Sequence, residues 1–324
     1  MNDLFSFIPT FPLAAIWEVT QKCNLQCVHC SSSGGKEPSG ELSPADALHL
    51  VDELAASFRI YRLVLSGGEP LLRRDIFSII EKAATTGLKV SLFTNGTLLT
   101  DSILTRLDEL GLDYLQIGIS GITDETHTTL SQSKSINTIF DTFKKAKTYT
   151  FKVGLSVPVH KKTYTEVLNK IDILLNLEPD ALCLSRFVPT GRGALFADEL
   201  LLSQEKRKNL ALFGQHLRDE GYTIILDEPL TDPHGCQAGI SLCCISPTGD
   251  VYPCPLLRVS CGNITSGHSA ELWKESQLIN TLKNRMVKGE CGECTMKEQC
   301  GGCRSLAFYF TGDYLAADPQ FWRT

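Results

Sequence analysis

The sequence predicts an α/β protein, a partial (β/α)6 barrel of the TIM type followed by a small cysteine-rich domain. Between residues 12 and 226, short β-rich runs alternate with helical stretches at intervals of roughly 25 to 35 residues, which is typical of βαβ units around a parallel sheet. From Pro229 onward Cys, Gly and Pro are frequent and the periodicity fades, as in a module stabilised by metal. We therefore place a barrel at residues 1–228 and a second domain at residues 229–324.

Six runs in the barrel region are predicted to be strands. They are LAAIWEV, YRLVLSG, LKVSLFT, LDYLQIGI, FKVGLSVPV and ALCLSRFV, in chain order. The helix after the first strand begins at Ser43-Pro44, an N-cap and N1 pair, and the helix after the second ends near Gly87. A later helix, SQEKRKNLALFGQHLRDEG, leads to one more strand, YTIILDE. Six units are too few to close an eight-stranded barrel, so we expect an open barrel with its chemistry at the carboxyl ends of the strands.

The bulk composition excludes several classes of protein. The chain has 324 residues, 43% hydrophobic and 21% charged, a net charge of -6 and a pI near 5.7. It has no run of five basic residues, so we expect no nucleic-acid partner. The opening MNDLFSFIPTFP lacks the pattern of a signal peptide, and no apolar run approaches the ~18 residues of a membrane span. These features predict a cytoplasmic enzyme without a membrane partner.

The cysteines are too numerous and too clustered for an ordinary cytoplasmic chain. Of 13 cysteines, three lie in residues 23–30, one is Cys183, and nine lie between Cys236 and Cys303. A reducing compartment disfavours structural disulfides, and thiolate-only ligation selects zinc or an iron–sulfur cluster. Three thiolates can hold three irons of a 4Fe-4S cubane and leave the fourth open. The alternative is a zinc knuckle that borrows His29 or a distant cysteine.

The stretch TQKCNLQCVHC places Cys23, Cys27 and Cys30 directly after the first strand. This C-x3-C-x2-C pattern resembles the radical S-adenosylmethionine (SAM) superfamily. The resemblance implies that SAM binds the open iron, that an electron from the cluster cleaves SAM, and that the resulting 5′-deoxyadenosyl radical abstracts a hydrogen atom. The resemblance extends to LSGGEP at the end of the second strand, which matches the family's GGEP motif.

The same resemblance implies a set of SAM-binding residues at the rim of the barrel. They are His29, Gly67, Gly68, Glu69, Pro70 and Ser120, and the ends of the third and sixth strands add Asn95 and Arg186 as candidates. The GGEP backbone and carboxylate would receive the SAM ammonium group, since glycines allow close approach and a carboxylate complements a cation. Ser120 lies in IGISG, which lacks the aspartate of the commoner Ser-Leu-Asp-Gly form. Arg192 in VPTGRG is a second candidate for a SAM or substrate carboxylate; a surface arginine in a glycine-rich loop is the alternative.

The C-terminal cysteines resemble the SPASM extension of radical SAM enzymes, which holds auxiliary 4Fe-4S clusters. The stretch CGECTMKEQCGGC alone also fits a zinc ribbon. By the SPASM pattern, the inner auxiliary cluster would be held by Cys236, Cys243, Cys254 and Cys303. The outer one would be held by Cys291, Cys294 and Cys300. Phe321 stands near the place of an expected fourth cysteine, so we consider an open iron, Asp313 or Asp318 as a ligand, or no outer cluster. Cys244 and Cys261 are left spare, and Cys183 is predicted to be a core residue.

The combined pattern predicts an oxidoreductase of the radical SAM type that acts on a peptide or a peptide-derived cofactor precursor. Ferredoxin or flavodoxin would supply electrons. The first alternative is removal of iron-porphyrin side chains in haem biosynthesis, with a tetrapyrrole substrate. An alternative from another class is a non-catalytic iron–sulfur electron carrier or a zinc-dependent interaction protein. No catalytic residue is assigned, because the cofactors carry the radical chemistry.

Overall fold

A computed structural model describes residues 8–230, 234–267 and 269–322. Its strands are β1 (Ala14–Thr20), β2 (Arg62–Gly67), β3 (Lys89–Thr94), β4 (Tyr114–Gly118), β5 (Lys152–Val159), β6 (Ala181–Arg186), β7 (Ile224–Leu226), β8 (Leu242–Ile245), β9 (Asp250–Tyr252) and β10 (Gly262–Asn263). The predicted strands of the barrel region are confirmed, including the short seventh one.

Helices follow most of the parallel strands. They are α1 (Pro44–Ala56), α2 (Ile76–Thr85), α3 (Asp101–Glu109), α4 (Asp124–Ser131), α5 (Ile136–Ala146), α6 (Tyr164–Lys170), α7 (Asp172–Leu175), α8 (Ala197–Leu200), α9 (Gln204–Asp219), α10 (Ser269–Glu275), α11 (Gln277–Lys283), α12 (Gly289–Gly292), α13 (Lys297–Cys300) and α14 (Arg304–Thr311). Short 3-10 turns lie at Pro70–Leu72, Gly191–Phe196 and Ile264–Ser266. No helix in the described ranges is long and apolar enough to cross a bilayer.

The predicted helix boundaries in the first two units are confirmed. The Ser43 side chain caps α1 by accepting a hydrogen bond of 3.2 Å from the Asp46 N–H. Gly87 follows α2 with a φ of +83°, in the left-handed region that glycine adopts without strain. Both caps satisfy backbone groups that the helix ends leave unpaired.

The strands form one twisted sheet in the order β10-β9-β8-β1-β2-β3-β4-β5-β6-β7. β1 to β7 are mutually parallel and consecutive, as successive βαβ units predict. Within the described residues β7 pairs with β6 alone, so the barrel is open as expected. Parallel strands bring the loops after β1, β2, β3, β4 and β6 to the same rim.

The main apolar core lies between the sheet and the helices. Ala15, Trp17 and Val19 of β1 are fully buried in it. Glu18 has the opposite orientation, because successive side chains of a strand point to opposite faces. It faces the interior of the barrel, where it forms an ion pair with Arg258.

The C-terminal region extends the sheet of the barrel. β8 runs parallel to β1, with Ala15 opposite Cys243 and Ile16 opposite Cys244. β9 and β10 then add antiparallel strands at the edge. The division at residue 228/229 stays a prediction based on composition, and the sheet is continuous across it.

Candidate active site

The loop between β1 and α1 brings the three predicted cluster cysteines together. Burial raises the pKa of the Cys27 thiol to about 11, and the neighbouring Cys30 and Cys23 thiols add to the rise. The Cys23 sulfur accepts a hydrogen bond of 3.4 Å from the Leu25 N–H, and the Cys30 sulfur accepts one of 3.3 Å from the Gly34 N–H. Three adjacent sulfurs with their own donors are suited to act as thiolate ligands of an iron–sulfur cluster.

The cradle around these sulfurs has little spare room. A Cβ atom on Gly34 would lie 3.1 Å from the Cys23 Cβ. Across the described ranges, no three Cys, His, Asp or Glu side chains are arranged to hold a single metal ion.

The GGEP turn after β2 is docked on the backbone of the cysteine loop. The Gly68 N–H donates to the Thr20 carbonyl at 2.7 Å, and the Glu69 N–H donates to the Lys22 carbonyl at 2.8 Å. A Cβ on Gly68 would lie 2.3 Å from the Lys22 carbonyl oxygen, which only glycine permits. The turn and the loop thus form one rigid unit.

Glu69 is fully buried and bridges the ends of two strands. Its Oε1 accepts hydrogen bonds from the Leu71 N–H (3.1 Å) and the Thr94 hydroxyl (2.7 Å), and its Oε2 accepts one from the Asn95 N–H (2.8 Å). Burial raises the pKa of this carboxyl, although these three donors oppose the rise. The side chain is fixed between β2 and β3 at the rim where the resemblance places the SAM ammonium group.

Asn95 and Ser120 both reach the cysteine loop. The Asn95 Nδ2 donates to the Asn24 Oδ1 at 2.9 Å and lies 4.0 Å from the Cys23 sulfur. The Ser120 hydroxyl donates to the Cys27 sulfur at 3.7 Å. The structure therefore places both residues around the predicted cluster, close to the SAM position that the resemblance implies.

Arg192 holds the cysteine loop by its backbone. Its Nε donates to the Cys27 carbonyl at 2.9 Å and its Nη1 donates to the Gly34 carbonyl at 3.0 Å. Gly191 has a φ of +55°, and a Cβ there would lie 2.3 Å from the Ser31 carbonyl oxygen. The VPTGRG loop after β6 is thus a clamp on the cysteine loop, and Arg192 is not the exposed surface arginine of the alternative interpretation.

His29 lies against a histidine that the sequence did not indicate. Its ring centroid is 5.6 Å from that of His160, which follows β5 and is fully buried. Burial lowers the pKa of His29 to about 3 and that of His160 to about 4, so both rings are neutral near pH 7. Within the described residues, neither the His29 Nδ1 nor the His160 Nε2 has a hydrogen-bond partner.

Arg186 is placed away from the cysteine loop. Its Nε donates to the Asp227 carbonyl at 3.0 Å and lies 3.6 Å from the Glu228 carboxylate. The guanidinium is buried on the side of the barrel that faces the C-terminal cysteines. The long-range ion pair with Glu228 sets its direction, and the SAM contact expected from the sequence stays a prediction.

Three of the four predicted inner ligands lie together. Burial raises the pKa of the Cys254 thiol to about 12, and the nearby Cys236 and Cys303 thiols add to the rise. The Cys254 sulfur accepts a hydrogen bond of 3.2 Å from the Leu257 N–H. This donor again suits a thiolate ligand.

Cys243, the fourth predicted inner ligand, does not face the other three. It is fully buried in the main apolar core, and Cys261 packs against the same cluster. Its neighbour Cys244 points to the opposite face of β8, 4.0 Å from Arg258 Nη1 and close to Cys254. The strand direction therefore favours Cys244, which the sequence left spare, as the ligand in this set.

The three outer cysteines line one side of a cavity of about 390 Å³. Each sulfur accepts a backbone hydrogen bond. The pairs are Asp318 N–H to Cys291 (3.3 Å), Met296 N–H to Cys294 (3.4 Å) and Gly302 N–H to Cys300 (3.4 Å). Phe321 and Trp322 line the cavity beside the cysteines. The arrangement fits a three-thiolate cluster site with no cysteine in fourth place among the described residues.

The carboxylates of both aspartates considered as the fourth ligand already have other partners. Asp313 lies at the surface in an ion pair with Lys288 at 2.7 Å. Asp318 is buried, and its carboxylate accepts hydrogen bonds from the Cys303 N–H (3.0 Å) and the Gln320 N–H (2.9 Å). Asp318 thus connects the two sets of cysteines: its carboxylate accepts from the Cys303 N–H, and its own N–H donates to the Cys291 sulfur.

Two further residues near the site had no signal in the sequence. His127 accepts a hydrogen bond from the Ser120 N–H at 3.2 Å, which fixes the loop after β4. His160 is held by the Lys162 N–H at 3.3 Å. A single histidine has no spacing pattern, so only the strand-end position of His160 could have indicated it.

Comparison with known proteins agrees with this architecture. The family model for the radical SAM superfamily matches residues 17–173, and the model for an iron–sulfur cluster-binding domain (SPASM) matches residues 236–304. The chain is 32% identical to the AdoMet-dependent heme synthase of Methanosarcina barkeri, with 95% of each chain covered. It is 30% identical to the mycofactocin maturase MftC of Mycobacterium tuberculosis, with 95% of this chain and 82% of the relative covered.

Among solved structures, Streptococcus suis SuiB bound to its precursor peptide SuiA has the same fold. The TM-score is 0.78 at 15% sequence identity, and the alignment covers 96% of this chain and 76% of SuiB.

Proposed function

The chain belongs to the radical SAM superfamily, and from this premise we propose that it reductively cleaves SAM and abstracts hydrogen from a peptide or a peptide-derived cofactor precursor by means of the 5′-deoxyadenosyl radical. Members of this family are enzymes that use SAM and a 4Fe-4S cluster, and the C-terminal family domain implies auxiliary clusters. The observation that carries the proposal is the unit formed by the three cysteines and the GGEP turn docked on their backbone.

Each residue of this unit has a physical role in the proposal. Cys23, Cys27 and Cys30 hold the cluster and leave one iron for SAM. Gly68 and Glu69 provide a carbonyl and a fixed carboxylate at the rim, which suit an ammonium group. Among the remaining predicted contacts, Pro70, which is buried, starts the 3-10 turn that fixes Glu69.

Asn95 lies beside Cys23 and Ser120 lies beside Cys27, and the His29 ring lies against that of His160. Both rings are neutral, and each has one buried nitrogen without a hydrogen-bond partner among the described residues: the His29 Nδ1 and the His160 Nε2. We propose that these nitrogens form hydrogen bonds with a polar ring such as adenine. Since Arg186 pairs with Glu228, we do not retain it as a SAM contact.

For the auxiliary clusters we propose a revised ligand set. Cys236, Cys244, Cys254 and Cys303 hold the inner cluster, and Cys291, Cys294 and Cys300 hold the outer one. The support is the facing of Cys244 toward Cys254 and the backbone N–H donors on the outer sulfurs. We further propose that a reduced ferredoxin or flavodoxin supplies electrons in the cytoplasm.

The second candidate substrate is an iron porphyrin whose side chains are removed. The specific observation in its favour is the 32% identity to a heme synthase over 95% of both chains. A peptide substrate is supported by the 30% identity to a maturase. The two are separated by incubating the loaded enzyme with a precursor peptide from a neighbouring reading frame, or with an iron porphyrin bearing propionates. The true substrate increases 5′-deoxyadenosine formation and changes in mass.

The reaction class is tested by anaerobic incubation of the iron-loaded protein with SAM and dithionite. We expect 5′-deoxyadenosine, and we expect Cys27→Ala to abolish it while auxiliary iron remains. Cys183→Ala is the matched control, because that half-buried thiol lies 3.2 Å from the Ser185 hydroxyl and has no hydrogen bond to a cluster cysteine in the part of the chain that the structure describes. An electron carrier or zinc protein would give no 5′-deoxyadenosine even with its iron complete, and that result would sink the proposal.

A further inference from the structure

A buried group of four charged side chains lies between the barrel and the C-terminal cysteines. Arg186 and Arg207 share Glu228, and Arg207 also lies 3.8 Å from Asp318. Their side chains are between 1% and 9% exposed. Charges this deeply buried are costly unless they are paired or serve another group.

Arg207 is saturated by this arrangement. Its Nη2 donates to both Glu228 oxygens at 2.9 and 2.8 Å, and its Nη1 donates to the Gln320 carbonyl at 2.8 Å. Its guanidinium also lies over the Trp322 ring, 5.3 Å from the centroid. Arg207 therefore holds the C-terminal segment against α9.

Arg186 differs, because its Nη1 is buried and has no hydrogen-bond partner among the described residues. Glu228 pairs with both guanidinium groups, but it lies 3.6 Å from the Arg186 Nε and leaves the Arg186 Nη1 without an acceptor. A buried donor left unpaired costs ~1–3 kcal/mol unless a group that is absent from the protein chain receives it. An auxiliary cluster is such a group, since its sulfurs accept hydrogen bonds.

Packing places Arg186 beside an inner ligand. Val188, two residues further along, forms an apolar cluster with Cys303 and Leu306. Cys303 is also joined to the charged group through its N–H, which donates to Asp318. Burial raises the pKa of the Cys303 thiol, and the positive charge of Arg186 is the largest of the effects that lower it.

We propose that Arg186 is a positioning residue of the inner auxiliary site, where its fixed positive charge and free Nη1 donor raise the reduction potential of the cluster held by Cys303. This inference rests on the proposed inner ligand set. Reduction adds a negative charge to a cluster, and a neighbouring cation stabilises that state. Glu228 has the opposite influence, so the pair sets the potential between them.

The test is an anaerobic redox titration of the full-length, iron-loaded protein, followed by electron paramagnetic resonance. The inner signal is identified by its loss in Cys254→Ala. We expect Arg186→Gln to lower the reduced fraction at a fixed potential at least tenfold, which corresponds to about 59 mV for one electron. Glu228→Gln is expected to raise the potential, and the double variant to return near the wild-type value.

Arg218→Gln is the matched control, because the Arg218 Nε donates to the Ile224 carbonyl at 2.9 Å and the side chain has no hydrogen bond to a cysteine within the described residues. Its potential should stay at the wild-type value. Iron content and 5′-deoxyadenosine formation are measured in parallel, so failure of the proposed function is visible separately. The inference is overturned if Arg186→Gln keeps the wild-type potential. It is also overturned if Arg186→Gln, Glu228→Gln and the double variant all shift the potential in the same direction.

Discussion

At the scale of single residues, the adjacent cysteines of β8 are chemically distinct because a strand alternates its faces. Cys243 shares a face with Ala15 and Trp17 in the apolar core, whereas Cys244 shares one with Glu18 inside the barrel. A thiol in an apolar core is inert and packs like a small hydrophobe. Of these two cysteines, it is Cys244 that lies near Cys254.

Cys244→Ala is therefore expected to remove the inner cluster, about four irons per chain, from anaerobically reconstituted protein, as a 4Fe-4S cluster contains. Cys243→Ala, the matched control, should keep that iron and lose only packing, roughly 1 kcal/mol of unfolding free energy. Iron and sulfide analysis with urea unfolding measures both effects. Iron loss from Cys243→Ala alone would restore the assignment first drawn from the sequence.

His160 predicts an acid-sensitive stability. Its folded pKa is lowered to about 4 by burial, whereas an unfolded histidine titrates near 6.5. As the pH falls below about 6.5 the unfolded chain takes up the proton first, so stability is lost progressively down to about pH 4. We expect a contribution of about 2 kcal/mol to be lost between pH 7 and 5.

This contribution is measured as the slope of unfolding free energy against pH. His160→Asn should flatten the slope, because asparagine does not titrate and can still accept from the Lys162 N–H. His216→Asn, at an exposed site on α9, serves as the control for replacing a histidine at the surface. An unaltered slope in His160→Asn would show that other groups carry the acid sensitivity.

At the scale of elements, the first cysteine loop has no regular secondary structure of its own and is held by its neighbours. The GGEP turn binds its first half through backbone groups, and the loop after β6 binds its second half through Arg192 and the Gly193 N–H. The ends of β1, β2 and β6 thus determine the position of three sulfurs. The conformation of this loop therefore depends on contacts with residues that are distant in the sequence.

Arg192→Gln removes two charge-assisted hydrogen bonds, each worth ~1.5–3 kcal/mol. We expect the SAM-cluster iron to fall and 5′-deoxyadenosine formation to drop more than tenfold, while the auxiliary-cluster spectrum is kept. Arg106→Gln, which removes an exposed arginine of α3, is the control and should match the wild type. Full iron and activity in Arg192→Gln would mean that the GGEP turn alone orders the loop.

At the scale of the whole molecule, the two regions share a sheet and a buried ion-pair group. β8 covers the edge of β1, and Arg207 of α9 ties down the segment around Gln320.

A chain cut after residue 228 exposes the β1 edge, which is prone to pair with other chains. We expect that fragment to elute from size exclusion as aggregate or oligomer, whereas the full chain keeps a defined size. A stable monomeric fragment would contradict this expectation.

The sequence was sufficient for features that follow from local spacing. The cysteine triplet, the GGEP turn and the parallel strand order all come from motifs or from repeated βαβ periodicity. The choice between Cys243 and Cys244 required the register of β8 on β1, and the direction of Arg186 required its distant partner Glu228. The continuous sheet was not foreseen, because β8 to β10 are too short to show a period.

The pairing of β1 with β8 also has a consequence for biosynthesis. Ala14 leaves the ribosome well before its partner Leu242, which follows only after every other strand of the barrel. Until then the edge of β1 is unprotected, and contacts so distant in sequence form slowly. With the ligand sets proposed above, cluster insertion at Cys23, Cys27 and Cys30 can precede this closure, whereas insertion at the inner auxiliary site cannot, because Cys244 lies on β8. Nascent chains should therefore acquire iron in the order of the sequence.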